Sequence, residues 1–117
     1  MTSLSEQQDL CRRHKAQFTP PVAGATLGAA LPLALGAPVH GQRFPPETGT
    51  SGWYIWTGGG DLADGEFRDV PIEDAAAIDP RVVKFLALPP GWRFVLTADR
   101  EDVWFDPSLF AVSDNDD

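Results

Sequence analysis

The side chains able to do chemistry are few and scattered. His14 and His40 are the only histidines, and no HxxxH, HExxH or paired Cys/His spacing exists to hold zinc. Each reads as a surface or loop residue rather than a ligand. Cys11 lies in a terminal helical stretch with no loop motif around it, so it is not read as a catalytic thiol. The GxSxG signature of an activated serine is absent. Asp99 and Asp102 could share acid–base work or hold a divalent cation, yet the EF-hand pattern does not occur. Both fall in or beside a hairpin loop open to water, where little desolvation tunes a carboxylate. Gly58-Gly59-Gly60-Asp61 suggests a phosphate cradle, but neither GxxxxGK[ST] nor GxGxxG is present. It reads as a mobile loop. The expectation is a chain with no catalytic residue, no metal and no cofactor.

The elements that must position any binding residues are clearer. After the Pro89-Pro90-Gly91 turn, Trp92, Phe94 and Leu96 alternate with Arg93, Val95 and Thr97, the period of a half-buried strand. Ala98–Glu101 can turn, and Val103 and Phe105 then alternate with Asp102, Trp104 and Asp106 before Pro107. This predicts a β-hairpin with a loop of about four residues. Ser51–Thr57 repeats the Gly-Trp start and places Trp53 and Ile55 in phase with Trp92, Phe94, Val103 and Phe105. The two runs hold all four tryptophans and are expected side by side at the core of one sheet.

Around them, residues 1–18 predict an N-terminal helix, with Ser3 or Ser5 as N-cap and Arg12, Arg13 and Lys15 near its end. Residues 19–46 are rich in Pro, Gly and Ala and predict an ordered irregular layer over the sheet. Within it, Leu27, Leu31, Leu33 and Leu35 suit a short helical turn, and Val39–Phe44 a short edge strand. Residues 47–110 form the sheet-and-helix core. There Phe67–Val70 predicts a strand, Pro71–Ile78 a short helix, and Asp79–Leu86 another with Asp79 as N-cap and Pro80 at its first position. Val82, Phe85 and Leu86 share the face that packs on the sheet. Pro107–Phe110 suits one helical turn, and residues 111–117 an acidic, disordered tail. The class is α+β: one domain with a small, mostly antiparallel sheet, two or three short helices packed on it, and a helix ahead.

Composition restricts the partners. The net charge of −8 comes from residues 61–117, which carry fourteen acids against five bases. That field repels nucleic acid and anionic lipid and speeds encounter with a cationic protein. The apolar run from Val22 to Val39 is broken by glycines and prolines and does not read as a membrane span. A single cysteine and no visible leader fit a cytoplasmic protein.

What remains is a surface for binding. With one sheet face buried, Tyr54, Trp56 and Trp104 fall on the other, with Asp99, Glu101, Asp102 and Asp106 around them. Open aromatics would anchor a partner and the acids would steer it. Cover of that face by the Pro/Gly layer or the helices is the expectation set against this one and placed ahead of it.

The pairing of SGWYIWTG with LPPGWRFVLTADREDVWFDPSL resembles small bacterial proteins of immunity family thirty-three of the polymorphic-toxin systems, over roughly Pro45 to Leu109. The resemblance implies a non-enzymatic protein that binds and neutralises a cognate toxin in the producing cell's cytoplasm. No catalytic motif is carried over. The alternative from the residues themselves is a small-ligand or carbohydrate-binding module that stacks sugars on Tyr54, Trp56 and Trp104.

Overall fold

The computed structural model describes residues 3–30, 36–45, 49–58 and 67–113. Helix α1 spans Ser3–Arg13, with Glu6 in its first turn and Arg12 and Arg13 in its last, matching the helix dipole at both ends. Lys15 closes it in the left-handed region, at φ 58°. The Ala16 N–H donates to the Cys11 carbonyl and the Lys15 N–H to that of Arg12, the two bonds of a Schellman stop.

Among the described residues six strands follow: β1 (Thr26–Ala29), β2 (Val39–Arg43), β3 (Thr50–Thr57), β4 (Arg68–Pro71), β5 (Trp92–Leu96) and β6 (Glu101–Phe105). They form one sheet in the order β4-β1-β3-β2-β5-β6. Among the described residues β1 pairs parallel with β3, and the β1–β4, β2–β3, β2–β5 and β5–β6 pairings are antiparallel. This is the α+β architecture expected, with the predicted hairpin in place: Trp92 pairs Phe105 and Leu96 pairs Glu101.

Residues 19–46 differ from expectation. They were expected as an irregular layer over the sheet, but they supply β1 and β2 to it. Leu27 lies in β1 rather than in a helical turn; Leu31, Leu33 and Leu35 lie outside the described residues. Strand β2, expected at an edge, is interior. It separates β3 from β5, so the two tryptophan-led strands share a sheet without touching as neighbours. Its composition hid this, because VHGQR carries three residues that strands usually leave on the surface. Each is accommodated by a neighbour: the Phe94 ring lies where a Gly41 side chain would be, Gln42 meets Arg93, and Arg43 is bonded to main-chain carbonyls.

The core lies on the face of Trp53, Ile55, Val39, Phe94 and Leu96, all nearly inaccessible. Phe85 stacks on Phe94 at 4.4 Å, and Trp53 tilts against Phe94 at 5.6 Å. Between β4 and β5 the chain forms a 3-10 turn at Ile72–Asp74, helix α2 (Ala75–Ile78) and a 3-10 segment at Pro80–Phe85. Asp79 caps the last of these, its carboxylate accepting from the Arg81 N–H at 3.0 Å, as the Asp-Pro start predicts. Val82, Phe85 and Leu86 are buried as their spacing requires. Helix α1 docks on this segment through Leu10 and Cys11, with Gln7 donating to the Val83 carbonyl at 2.8 Å. No helix among the described residues is long and apolar enough to cross a membrane.

Candidate functional site

Alternation along the strands sends Tyr54 and Trp56 of β3, His40 and Gln42 of β2, Arg93 and Val95 of β5, and Asp102 and Trp104 of β6 to the face opposite the core. Of the two possibilities for this face, cover applies at one end and exposure at the other. Trp56 is 6% exposed, stacked on His40 at 5.2 Å and met edge-on by Phe67. Tyr54 is half-buried between Phe44 and Phe67, both edge-on to it, and its ring occupies the space above Gly28. Trp104, on the last strand, is 38% exposed.

Trp104 is held from beneath. The Arg93 guanidinium lies 5.2 Å from the centre of its ring. Nη1 of Arg93 donates to Asp106 at 2.8 Å, and with the Gln42 amide turned so that its oxygen faces the guanidinium, Nη2 donates to it at 2.7 Å. Asp106 also accepts from the Ser108 N–H and hydroxyl, which starts the 3-10 segment Pro107–Ser113. Those Ser108 bonds, with the Arg93 cation next in weight, hold the Asp106 carboxyl below its usual range. Trp104 therefore stands on a fixed platform of charge and hydrogen bonds, which lowers the entropy lost when it meets a partner.

The remaining acids line the hairpin. Asp99 is exposed in the loop; Asp102 pairs with Arg100 at 3.0 Å and Glu101 with Lys84 at 2.7 Å. From Arg93 to Asp106 four acids stand against two bases, so the hairpin stays acidic after these pairs form.

The structure also exposes an aromatic that periodicity assigned to the core, and a second beside it. Phe105 is in phase with Trp92 and Phe94, yet it is 47% exposed, and Phe110 is 45% exposed. The two rings lie 6.1 Å apart, with Phe105 edge-on to Trp92 at 5.8 Å. Both rings sit over Gly91, whose φ of +96° and lack of a side chain make room for them. Strand period gives the face of a residue but not whether the covering helices reach that far, and here they do not. Trp92 itself is only partly buried for the same reason.

The other candidate chemistry resolves into structure. Cys11 is 2% exposed and donates to the Ala87 carbonyl; burial pushes its thiol above the ordinary range. His40 is a strand residue, not a loop residue, and its Nε2 lies against the Gly58 carbonyl. His14 is edge-on to Trp92 at 6.1 Å. Among the described residues, no three His, Cys, Asp or Glu side chains converge as a metal site would require. Of the glycine-rich loop, Gly59, Gly60 and Asp61 lie outside the described residues.

No curated protein and no solved structure matches the chain. Residues 6–106 match the family model of the Imm33-like domain, and they take in both tryptophan-led strands, β2 between them and the whole hairpin. The chain belongs to the Imm33-like domain family.

Proposed function

We propose that this is a non-enzymatic immunity protein that binds and neutralises a cognate bacterial toxin with a basic surface, in the cytoplasm of the cell that makes both. The observation that carries the reading is the β5–β6 hairpin: an exposed Trp104 fixed on Arg93, with Asp102 and Asp106 on its own face, Asp99 in the loop and Glu101 on the other face of the same strand. Tyr54 and Trp56 lie on the same face two strands away from β5, covered by Phe67 and His40. The burial of Trp56 withdraws one of the three stacking platforms that a carbohydrate-binding reading needs. Membership of the Imm33-like family supports a protein partner over a small ligand.

The test is co-expression with any basic effector found encoded beside this gene. Growth should be rescued by the wild-type protein and not by Asp99→Lys/Glu101→Lys/Asp102→Lys. An effector that is neither bound nor neutralised would contradict the reading.

A further inference from the structure

We propose that β6 is a docking edge, accepting a strand of the basic partner in main-chain register, with Trp104 flanking it on one face and Phe105 and Phe110 on the other. This rests on the immunity reading for the partner's role, but not for the edge itself.

Strand β6 ends the sheet order, so among the described residues one of its sides is unpaired. The phase of the ladder shows which groups face out. The Thr97 N–H donates to the Arg100 carbonyl at 2.9 Å, and the Asp106 N–H to that of Gly91 at 2.7 Å. Those bonds mark alternate pairs, so Arg93 with Trp104 and Val95 with Asp102 exchange the bonds between them. The N–H and C=O groups of Val103 and Phe105 therefore point away from β5, and neither N–H has a partner among the described residues.

Native sheets blunt exposed edges with proline, bulges, charged side chains or very short strands, and of these β6 carries only charge, at Glu101 and Asp102. The opposite edge is blunted by shortness and proline: β4 has four residues, and because the Ile72 N–H makes a ladder bond to Ala25 at 2.8 Å, Pro71 stands where an N–H would point outward. Strand β6 is regular in register over five residues and has no proline within it. Its two faces carry Trp104 at 38% and Phe105 at 47% exposure, and Phe110 at 45% extends the second. Extended peptides add to such edges through main-chain bonds, with side-chain contacts on both faces giving selectivity.

Charge chooses the occupant. Residues 99–106 hold four acids and one base. A second copy would set those acids against themselves, and like charges opposite one another destabilise a strand pair. A strand bearing lysine or arginine would set cations there instead.

The probe is a synthetic peptide of alternating lysine and valine, with a glutamate-for-lysine copy as control, read by amide exchange in NMR. With free peptide at about ten times its Kd, exchange at Val103 and Phe105 should slow about tenfold, with β4 unaffected. The glutamate copy should have no effect. Val103→Pro removes an outward N–H and no ladder bond, so it should abolish capture. If that variant fails to fold, the wild-type exchange pattern decides alone. Peptide binding without protection of these two amides, or no binding up to millimolar peptide, would overturn the proposal. So would a homodimer in sedimentation that protects the same amides. An effector neutralised with both amides unprotected would sink the edge and leave the immunity reading standing. Peptide capture alongside an effector that does not bind would do the reverse.

Discussion

Arg43 and Trp53 share one acceptor: Nε1 of Trp53 donates to the Leu86 carbonyl at 2.9 Å and Nη1 of Arg43 to the same oxygen at 3.4 Å. The guanidinium lies 5.9 Å from the centre of the Trp53 ring. Arg43 is 3% exposed, and its other bonds go to the carbonyls of Ser51 (2.8 Å), Thr19 (2.6 Å) and Leu88 (2.7 Å). Burial pushes its pKa down to about 10, far enough above neutrality that it stays charged. One side chain thus ties β2, β3, the stretch after α1 and the turn before β5, and so fixes where the hairpin begins.

Removing it should be expensive. Arg43→Met keeps much of the volume but strands several buried carbonyls, each worth about 1–3 kcal/mol when left unpaired. Urea unfolding of Arg43→Met should show a loss at least that large. Arg43→Lys should recover little, because an ammonium cannot span the same acceptors. An unchanged midpoint in either variant would mean that the carbonyls find other donors.

Strand β2 owes its interior place partly to Gly41, over which the Phe94 ring lies. Gly41→Ala should overpack that contact and lower stability by about 1–3 kcal/mol. Adding Phe94→Leu should make the double variant less destabilised than the two single losses combined. Strict additivity in denaturant midpoints would separate the two residues energetically.

Asp106 should contribute to the acid limb of stability. Its folded-state pKa lies below its unfolded value of about 4. Its contribution is therefore present above about pH 4 and lost as pH falls through the folded pKa. Wild type and Asp106→Asn should differ most near neutrality and converge in acid. Parallel stability curves down to low pH would rule out the Arg93–Asp106–Ser108 contact as a source of stability.

The sequence made the hairpin, α1, β4 and the Asp79-capped segment legible because each is locally determined: alternation, a Pro-Gly turn, an Asp-Pro cap. Strand β2 was legible as a strand but not as a central one. Its burial depends on Phe94, Arg93 and four distant carbonyls, none of which local pattern reveals. At the site, alternation placed Tyr54, Trp56 and Trp104 on one face correctly. It could not tell that Phe67 and His40 cover Trp56 while Phe105 overhangs the core, because both depend on which elements reach across the sheet.

Stopped-flow association with an effector that the protein is found to bind, across a series of salt concentrations, tests binding through the acidic hairpin most directly. The Lys84–Glu101 and Arg100–Asp102 pairs lie at the surface, each worth about 0–1 kcal/mol, so Asp99→Lys/Glu101→Lys/Asp102→Lys should fold nearly normally. Wild-type association should slow steeply as salt rises, and at low salt the variant should associate on the order of tenfold more slowly. Equal rates for the two proteins at every salt concentration, with equal thermal midpoints, would place the partner somewhere other than this hairpin.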